Sequence, residues 1–209
     1  MESIRNKLSG YTVKKFVEKT AVEKVVFNRH YLFLESGVRK LLFELRQLSP
    51  VNNLAEYNIL QEIDANENGF TNEVNGMTFE QYKDWLIQQD NYSRAENMPE
   101  NYVPQTTYFF YADNIPVGIA RIRHYSADYL EKQGVGNFGY GIAKPYRGKG
   151  YGNILFAAVL KKCKLLGYSK IKSFVSIDNI ASNKIFVNNG AVLLGVLNGT
   201  KNIYETIIK

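Results

Sequence analysis

The sequence is short of cysteine and has no long apolar run. Its 209 residues include one cysteine, Cys163, which excludes an internal disulfide and is typical of a reducing cytosol. No apolar stretch approaches the length that spans a bilayer, and residues 1–7 lack the apolar core of a secretion signal. We therefore expect a cytoplasmic protein with no membrane partner.

Two familiar nucleotide-binding patterns are missing from the glycine-rich loop 147–152. The loop does not fit Gly-x-x-x-x-Gly-Lys-Ser/Thr, which excludes a P-loop, and it does not fit the Gly-x-Gly-x-x-Gly of dinucleotide-binding folds. An alternating run of Phe138, Tyr140 and Ile142 before it predicts a strand, and an amphipathic helix is predicted from Asn153 to Leu166. The order is therefore strand, tight loop and helix.

A loop of this kind is suited to binding an anion. Several of its backbone N–H groups have no side-chain cover, and the N-terminus of the following helix adds donors and the positive end of its dipole. Lys144, Arg147 and Lys149 bring positive charge to the same place. These features predict a phosphate site.

The remaining patterns predict a mixed α/β chain. Ser49 and Pro50 would begin a helix that ends near Ile63, and Thr78–Gln81 is a capping box that opens a second helix. The ranges 106–112 and 117–125 read as a hairpin, and Asn198-Gly199 turns a second hairpin at the end of the chain. Residues 64–75 are expected to form a polar loop.

Two spaced signatures carry a family resemblance. Arg147, Gly150 and Gly152 fill the pattern Arg/Gln-x-x-Gly-x-Gly, and further along Asn179 opens a short helix that Gly190 closes eleven positions later. The chain here resembles the GNAT superfamily of acyl-CoA-dependent N-acyltransferases. The pairs Arg123-His124 and Gly139-Tyr140 resemble, more narrowly, a bacterial subgroup of uncharacterised predicted acetyltransferases.

The resemblance implies a fold and a domain boundary. The expected fold is mixed α/β, with a central, mostly antiparallel sheet of about six to seven strands, flanked by helices and splayed between its fourth and fifth strands. It would cover 39–209, leaving 1–38 as an extension with a predicted amphipathic helix from Tyr11 to Val26. That helix would pack on the domain or form a homodimer contact.

The resemblance also implies how acetyl-CoA would bind. The pyrophosphate would be held by the loop Arg147, Gly148, Lys149, Gly150, Tyr151 and Gly152. Backbone groups at the strand end, Ile142, Ala143 and Lys144, would bond the pantetheine arm, with Asn179 assisting. A backbone N–H there would also polarise the thioester carbonyl. We expect no metal.

The catalytic base and acid are less well marked. His124 ends the third strand near the expected cleft and titrates in the right range to deprotonate an ammonium, although a structural histidine is equally compatible with this position. Asp128 and Glu131 are alternative bases, acting directly or through a water.

One departure concerns the acid. Many members of the family place a tyrosine seven residues after the signature asparagine, and it protonates the departing thiolate; this chain has Phe186 there. Ser182, Tyr140, Tyr151 or water are the remaining donors.

The predicted reaction is direct acetyl transfer from acetyl-CoA to a primary amine on a small molecule or a peptide. A non-catalytic acyl-CoA-binding or regulatory domain is the alternative, and Phe186 is its best support. The net charge of +6 permits a nucleic-acid-binding module, but no stacking-aromatic or helix-turn-helix pattern accompanies it, so we expect no nucleic-acid partner. Tyr82 and Trp85 would either line the acceptor cleft or anchor the core.

Overall fold

The computed structural model describes residues 30–34, 37–51 and 54–208. The helix predicted over 11–26 lies outside these ranges. Among the described residues, no helix combines the length and apolar character needed to cross a membrane.

Strands and helices are interspersed along the chain, as in a mixed α/β fold. The strands are β1 (His30–Leu34), β2 (Gly37–Leu41), β3 (Phe43–Gln47), β4 (Asn66–Glu67), β5 (Phe70–Thr71), β6 (Gln105–Ala112), β7 (Ile115–Arg123), β8 (Phe138–Ile142), β9 (Lys170–Ser176), β10 (Val192–Leu197) and β11 (Lys201–Ile207). The helices are α1 (Leu54–Gln61), α2 (Phe79–Ser93), α3 (Asp128–Lys132), α4 (Tyr151–Leu165) and α5 (Ile180–Asn188).

Among the described residues, β1–β2 and β4–β5 are separate antiparallel pairs, and the predicted splay divides the other seven strands into two antiparallel sheets. One sheet has the order β3-β6-β7-β8 and the other has the order β10-β11-β9. They meet where the N–H of Asn137 donates to the carbonyl of Lys172 at 2.9 Å and the N–H of Lys172 donates to Oδ1 of Asn137 at 2.6 Å. Beyond this point β8 and β9 belong to separate sheets, and a gap opens between them.

Two apolar clusters cover the opposite faces of the larger sheet. Side chains of β7 alternate between them, because successive residues of a strand point to opposite faces: Ala120 and Ile122 enter one cluster and Ile119 enters the other. The first, which we call the α4 cluster, is built around Leu155, Phe156, Val159, Cys163, Phe138 and Phe186. The second, the α1–α2 cluster, is built around Ile59, Leu60, Tyr82, Trp85, Leu86 and Phe109.

Helix boundaries differ in part from the sequence predictions. The capping box is confirmed, since the Thr78 hydroxyl accepts from the N–H of Gln81 and the Gln81 side chain accepts from the N–H of Thr78. Helix α1 begins at Leu54, later than predicted, and the Leu54 side chain is 53% exposed. Tyr82 and Trp85 are buried in the α1–α2 cluster, as core anchoring requires.

The predicted polar loop 64–75 contains a small hairpin, β4–β5. Glu67 pairs with Phe70, and the two turn residues Asn68 and Gly69 both have positive φ, at 51° and 86°. This geometry is the two-residue turn that Asn-Gly favours between short strands. The Asn-Gly pair was the signal that could have predicted the hairpin.

Candidate active site

A cavity of about 710 Å³ follows the gap between β8 and β9. Its walls come from the loop 147–153, the start of α5, the β4–β5 hairpin and the C-terminal half of β7. The predicted site residues that line it are Tyr140, Ile142, Arg147, Gly148, Gly150, Tyr151, Gly152, Asn179 and Ser182. The splay therefore brings most of the predicted site to one place.

The glycine-rich loop leads directly into the N-terminus of α4. Gly148 and Gly150 have φ of 72° and 80°, a left-handed backbone that favours glycine, and no side chain caps the helix at Gly150. The first backbone N–H groups of α4 are thus available at the cavity wall, where an anion is stabilised by these donors and by the helix dipole. Lys149 is not in the cavity wall, and its Nζ lies 5.4 Å from the centroid of the Tyr146 ring.

Arg147 is fixed by two partners. Its Nε donates to the carbonyl of Ile142 at 2.8 Å, and its Nη1 and Nη2 donate to the two carboxylate oxygens of Glu67 at 2.5 and 2.6 Å. The first bond orients the guanidinium along the loop. The bonds to Glu67 engage the guanidinium that is predicted to bind a pyrophosphate, and no sequence pattern indicated Glu67 as a partner.

The β4–β5 hairpin covers part of the cavity through Phe70. Cβ atoms built on Gly139 and Gly141 would lie 3.4 and 3.2 Å from the Phe70 ring. The absence of side chains on alternate residues of β8 therefore allows the ring to lie against the strand. These two glycines determine how close the hairpin comes to the gap.

The end of β8 presents only some of its backbone to the gap. The backbone carbonyl of Asn137 accepts from the N–H of Arg123, and the N–H of Ala143 donates to the carbonyl of Val117. Alternate residues from 137 to 143, which include Gly139 and Gly141 of β8, therefore bond to β7. The N–H groups of Tyr140 and Ile142 consequently point the other way, towards β9 and the gap. Of the three residues predicted to bond the pantetheine arm, Ile142 is the one whose backbone N–H points towards the gap.

Ala143 and Lys144 are engaged elsewhere. The Ala143 N–H bonds β7, and neither residue is in the cavity wall. The Lys144 N–H donates to the carbonyl of Glu62 at 3.2 Å, and its Nζ lies 2.6 Å from Asp64. The structure therefore does not bring these two residues together with the rest of the predicted site.

Tyr140 and Ser182 meet across the gap. Their hydroxyl oxygens are 2.9 Å apart, and burial raises the pKa of Tyr140 to about 12, so its phenol stays protonated at neutral pH. The N–H of Ser182 donates to Oδ1 of Asn179, which caps α5. Two of the predicted proton donors, Tyr140 and Ser182, and the signature residue Asn179 are thus linked by hydrogen bonds.

Phe186 belongs to the aromatic packing behind this group. It is 3% exposed and stacks between the rings of Phe138 and Tyr204, with centroid distances of 5.7 and 5.2 Å. Its edge also contacts the ring of Phe156. Phe186 has no hydroxyl and cannot donate a proton. The Tyr140 hydroxyl, which meets Ser182 across the gap, is a donor that can.

His124 lies outside the cavity wall. Its Nε2 is 2.8 Å from the Thr106 hydroxyl, its backbone N–H donates to Pro104, and burial lowers its pKa. Of the alternative bases, Asp128 is exposed and Glu131 is paired with Lys172 at 2.5 Å. His124 as the base stays a prediction, and this geometry favours its structural interpretation.

Comparison with proteins of known sequence and structure agrees with this geometry. A sequence model described as the acetyltransferase (GNAT) domain matches residues 44–192, while no curated protein matches the chain significantly. The chain is similar in structure to the RimL ribosomal L7/L12 alpha-N-protein acetyltransferase in complex with coenzyme A, with a TM-score of 0.57, 17% identity and coverage of 79% of this chain and 94% of RimL.

Two further solved structures are similar. The microcin C7 self-immunity acetyltransferase MccE, in complex with acetyl-CoA and AMP, has a TM-score of 0.53 at 17% identity, covering 79% of this chain and 92% of MccE. The Campylobacter jejuni N-acetyltransferase PseH has a TM-score of 0.53 at 14% identity, covering 80% of this chain and 99% of PseH. At such identities the likeness establishes a shared fold. The sequence match spans more than half of the chain, and on that ground the chain belongs to the GNAT family of acetyltransferases.

Proposed function

We propose that this protein transfers an acetyl group from acetyl-CoA to a primary amine by direct attack, without a covalent enzyme intermediate. The observation that carries the proposal is the single cavity that joins the glycine-rich loop to the Tyr140–Ser182 pair through the gap and continues to β7. A co-substrate entering from the loop and an acceptor entering from β7 would meet beside Tyr140.

The binding roles follow from the cavity wall. The loop N–H groups, the N-terminus of α4 and Arg147 would hold the pyrophosphate, and Asn179 and the edge of β8 would border the pantetheine arm. Arg147 keeps two N–H groups beyond those that bond Ile142 and Glu67, and Glu67 would compete with a phosphate for its charge. RimL and MccE have been solved with coenzyme A and acetyl-CoA, respectively, which supports the assignment of the co-substrate.

The transfer step needs one carbonyl to be polarised and one thiolate to be protonated. The amine nitrogen attacks the thioester carbon, the carbon–sulfur bond breaks, and an amide and the thiol of coenzyme A are formed. The Ile142 N–H, directed at the gap, would stabilise the negative charge on the tetrahedral oxygen. The Tyr140 hydroxyl would donate its proton to the departing sulfur and recover, through Ser182 and water, the proton that the attacking nitrogen loses when the amide forms.

The ammonium form of the acceptor must lose a proton before it attacks. His124 lies outside the cavity wall, so we propose that the proton leaves through water, either to His124 or to a nearby carboxylate. The activity of the His124→Asn variant described below tests the histidine route.

A labelling experiment tests the proposed function. Purified protein and isotope-labelled acetyl-CoA are incubated with a panel of amines and with a dialysed cytosolic extract, and the label is located by mass spectrometry. The expected result is label in an amide bond. A Tyr140→Phe variant should bind acetyl-CoA within threefold of wild type and lose about 10- to 100-fold in kcat, since it lacks the proton donor.

The matched control is Tyr129→Phe, which removes an exposed hydroxyl that bonds the carbonyl of Asn101 away from the gap. Its kcat should be unchanged. Acetyl-CoA binding without label above a no-enzyme control would favour the non-catalytic acyl-CoA-binding alternative, whose support is Phe186. Absence of acetyl-CoA binding would contradict the loop assignment itself.

A further inference from the structure

Arg121 is a buried charge with unused hydrogen-bonding capacity. It is 9% exposed, it lines the cavity from β7, and its Nε and Nη2 have no hydrogen-bond partner among the described residues. Buried donors are nearly always paired, and leaving them unpaired destabilises a folded chain. Both atoms are themselves buried in the free protein, so a ligand entering from the cavity would satisfy these donors only after a neighbouring side chain moves aside.

The two unused atoms define the shape of that group. Nε and Nη2 lie on the same edge of the guanidinium, where two roughly parallel N–H bonds match the two oxygens of a carboxylate or a phosphate. The guanidinium carbon lies 5.2 Å from the centroid of the Phe70 ring, and this contact with the hairpin helps to orient the edge. A bidentate oxyanion is the ligand that best fits this edge.

The surrounding charges leave this end of the cavity positive. The carboxylate of Glu73 lies 4.0 Å from Nη2 of Arg121, beyond hydrogen-bond distance, and accepts from Nε1 of Trp85 at 2.7 Å. Arg123 lines the same end and donates to the carbonyl of Gly136; burial and the nearby Arg121 lower its pKa. The buried Arg121 and the half-buried Arg123 therefore bring two positive charges to this end, and Glu73 lies near Arg121 without a hydrogen bond to it.

The anion site lies close to the proposed reaction centre. Arg121 is opposite Gly139 in the β7–β8 register, and Gly139 precedes Tyr140. Partners in an antiparallel pair have Cα atoms about 5 Å apart, so Arg121 is one strand away from the gap, which β8 borders. Successive residues of β8 point to opposite faces, so the guanidinium and the Tyr140 ring lie on opposite faces of the sheet and are joined by the cavity that both line. An acceptor bound here by its anionic group would direct its amine along this cavity towards Tyr140.

We propose that the acceptor is an anionic amine, and that Arg121 binds its carboxylate or phosphate monoester through the Nε–Nη2 edge. This inference rests on the proposed function, because it assigns the acceptor of the same reaction. Arg123 adds charge to the same end of the cavity, and Glu73 stays on Trp85 when the anion is bound.

The experiment compares matched amines that differ in the anion alone. Coenzyme A release at saturating acetyl-CoA is measured for β-alanine against β-alaninamide, over a series of chain lengths, and for phosphoethanolamine against ethanolamine. The anionic members should have KM values lower by about 10- to 100-fold, as for a hydrogen-bonded charge pair. The two pairs distinguish a carboxylate from a phosphate.

The variant Arg121→Met should remove this preference and leave turnover of the neutral amines unchanged. Arg46→Met is the matched control, because Arg46 stacks on Tyr111 outside the cavity wall, and it should keep the preference. The Arg121→Met variant should also melt at a higher temperature than wild type without ligand, since it removes a buried unpaired charge. A structural arginine would give a lower melting temperature.

Failure of this inference is distinct from failure of the proposed function. Equal KM values for anionic and neutral amines would overturn the anion site while confirming acetyl transfer. If no amine is turned over, calorimetry of the same pairs on the coenzyme A-loaded protein decides the matter. Binding of the anionic member that Arg121→Met abolishes supports the site, and equal binding of both members refutes it.

Discussion

Removing the charge of Glu67 should strengthen acetyl-CoA binding. In the free protein the Glu67 carboxylate accepts one N–H from each terminal nitrogen of Arg147, at 2.5 and 2.6 Å, so a pyrophosphate competes with it for the same guanidinium charge. The competition includes repulsion, because the carboxylate and the pyrophosphate are both negative. Glu67→Gln keeps the size of the side chain and removes the charge.

The magnitude follows from the exposure of the pair. The Arg147 and Glu67 side chains are 38% and 20% exposed, so solvent screens their attraction and the contribution is at the upper end of the range for surface pairs, about 1 kcal/mol. If binding no longer has to replace that interaction, the dissociation constant for acetyl-CoA should fall about fivefold. The difference between wild type and variant should narrow as salt is added, because screening weakens the pair.

Isothermal titration calorimetry of acetyl-CoA binding provides the measurement. The matched control is Glu80→Gln, which breaks an exposed pair with Lys83 at 2.8 Å on α2, and its affinity should equal that of wild type. Weaker binding by Glu67→Gln would refute the reasoning, because it would mean that Glu67 holds Arg147 in its binding geometry. An unchanged affinity at low salt would show that the ion pair opposes binding by no measurable amount.

Three further changes test the histidine, the cysteine and the core. His124→Asn should keep activity within about threefold at pH 8, because the imidazole bonds Thr106 outside the cavity wall; a loss of a hundredfold or more would establish it as the base. Burial lowers the pKa of His124, so the unfolded chain binds more protons than the folded one just below the ordinary histidine pKa. The free energy of unfolding therefore decreases as the pH is lowered through that window. Chemical denaturation of His124→Asn should show a smaller decrease over the same pH range. Cys163 is fully buried and burial raises its pKa to about 12, so a thiol reagent should modify the native protein far more slowly than the denatured chain, and similar rates would contradict the packing of α4. Phe156→Ala should lower the free energy of unfolding by about 3–5 kcal/mol, since the ring is fully buried against Phe138 and Phe186, and a loss below 1 kcal/mol in urea would contradict that packing.

Local sequence was sufficient for much of the fold. The capping box at Thr78, the hairpin turn at Asn198-Gly199 and the glycines of the 147–152 loop specify short-range geometry, and each has the structure predicted from it. The loop and the Asn179 signature together predicted the family, which the sequence match confirms. These features depend on backbone torsions and neighbouring hydrogen bonds, which a few consecutive residues control.

The tertiary structure decided which residues share the cavity. Glu67 and Arg147 are 80 positions apart, and Tyr140 and Ser182 are 42 apart, so no local pattern indicates either contact. The unpaired edge of Arg121 depends on packing from several elements, and it became visible only when the hydrogen-bond partners were known.

His124 is a residue that the sequence suggested for the site but that lies outside the cavity wall. Its type and its place at a strand end suggested catalysis, but β7 ends at Arg123, and the His124 side chain bonds Thr106 outside the cavity wall. The sequence by itself determined most of the elements, the glycine-rich loop and the family. The register of the strands and the splay between β8 and β9 determined which side chains face the gap, because both result from long-range pairing and from packing in the two clusters.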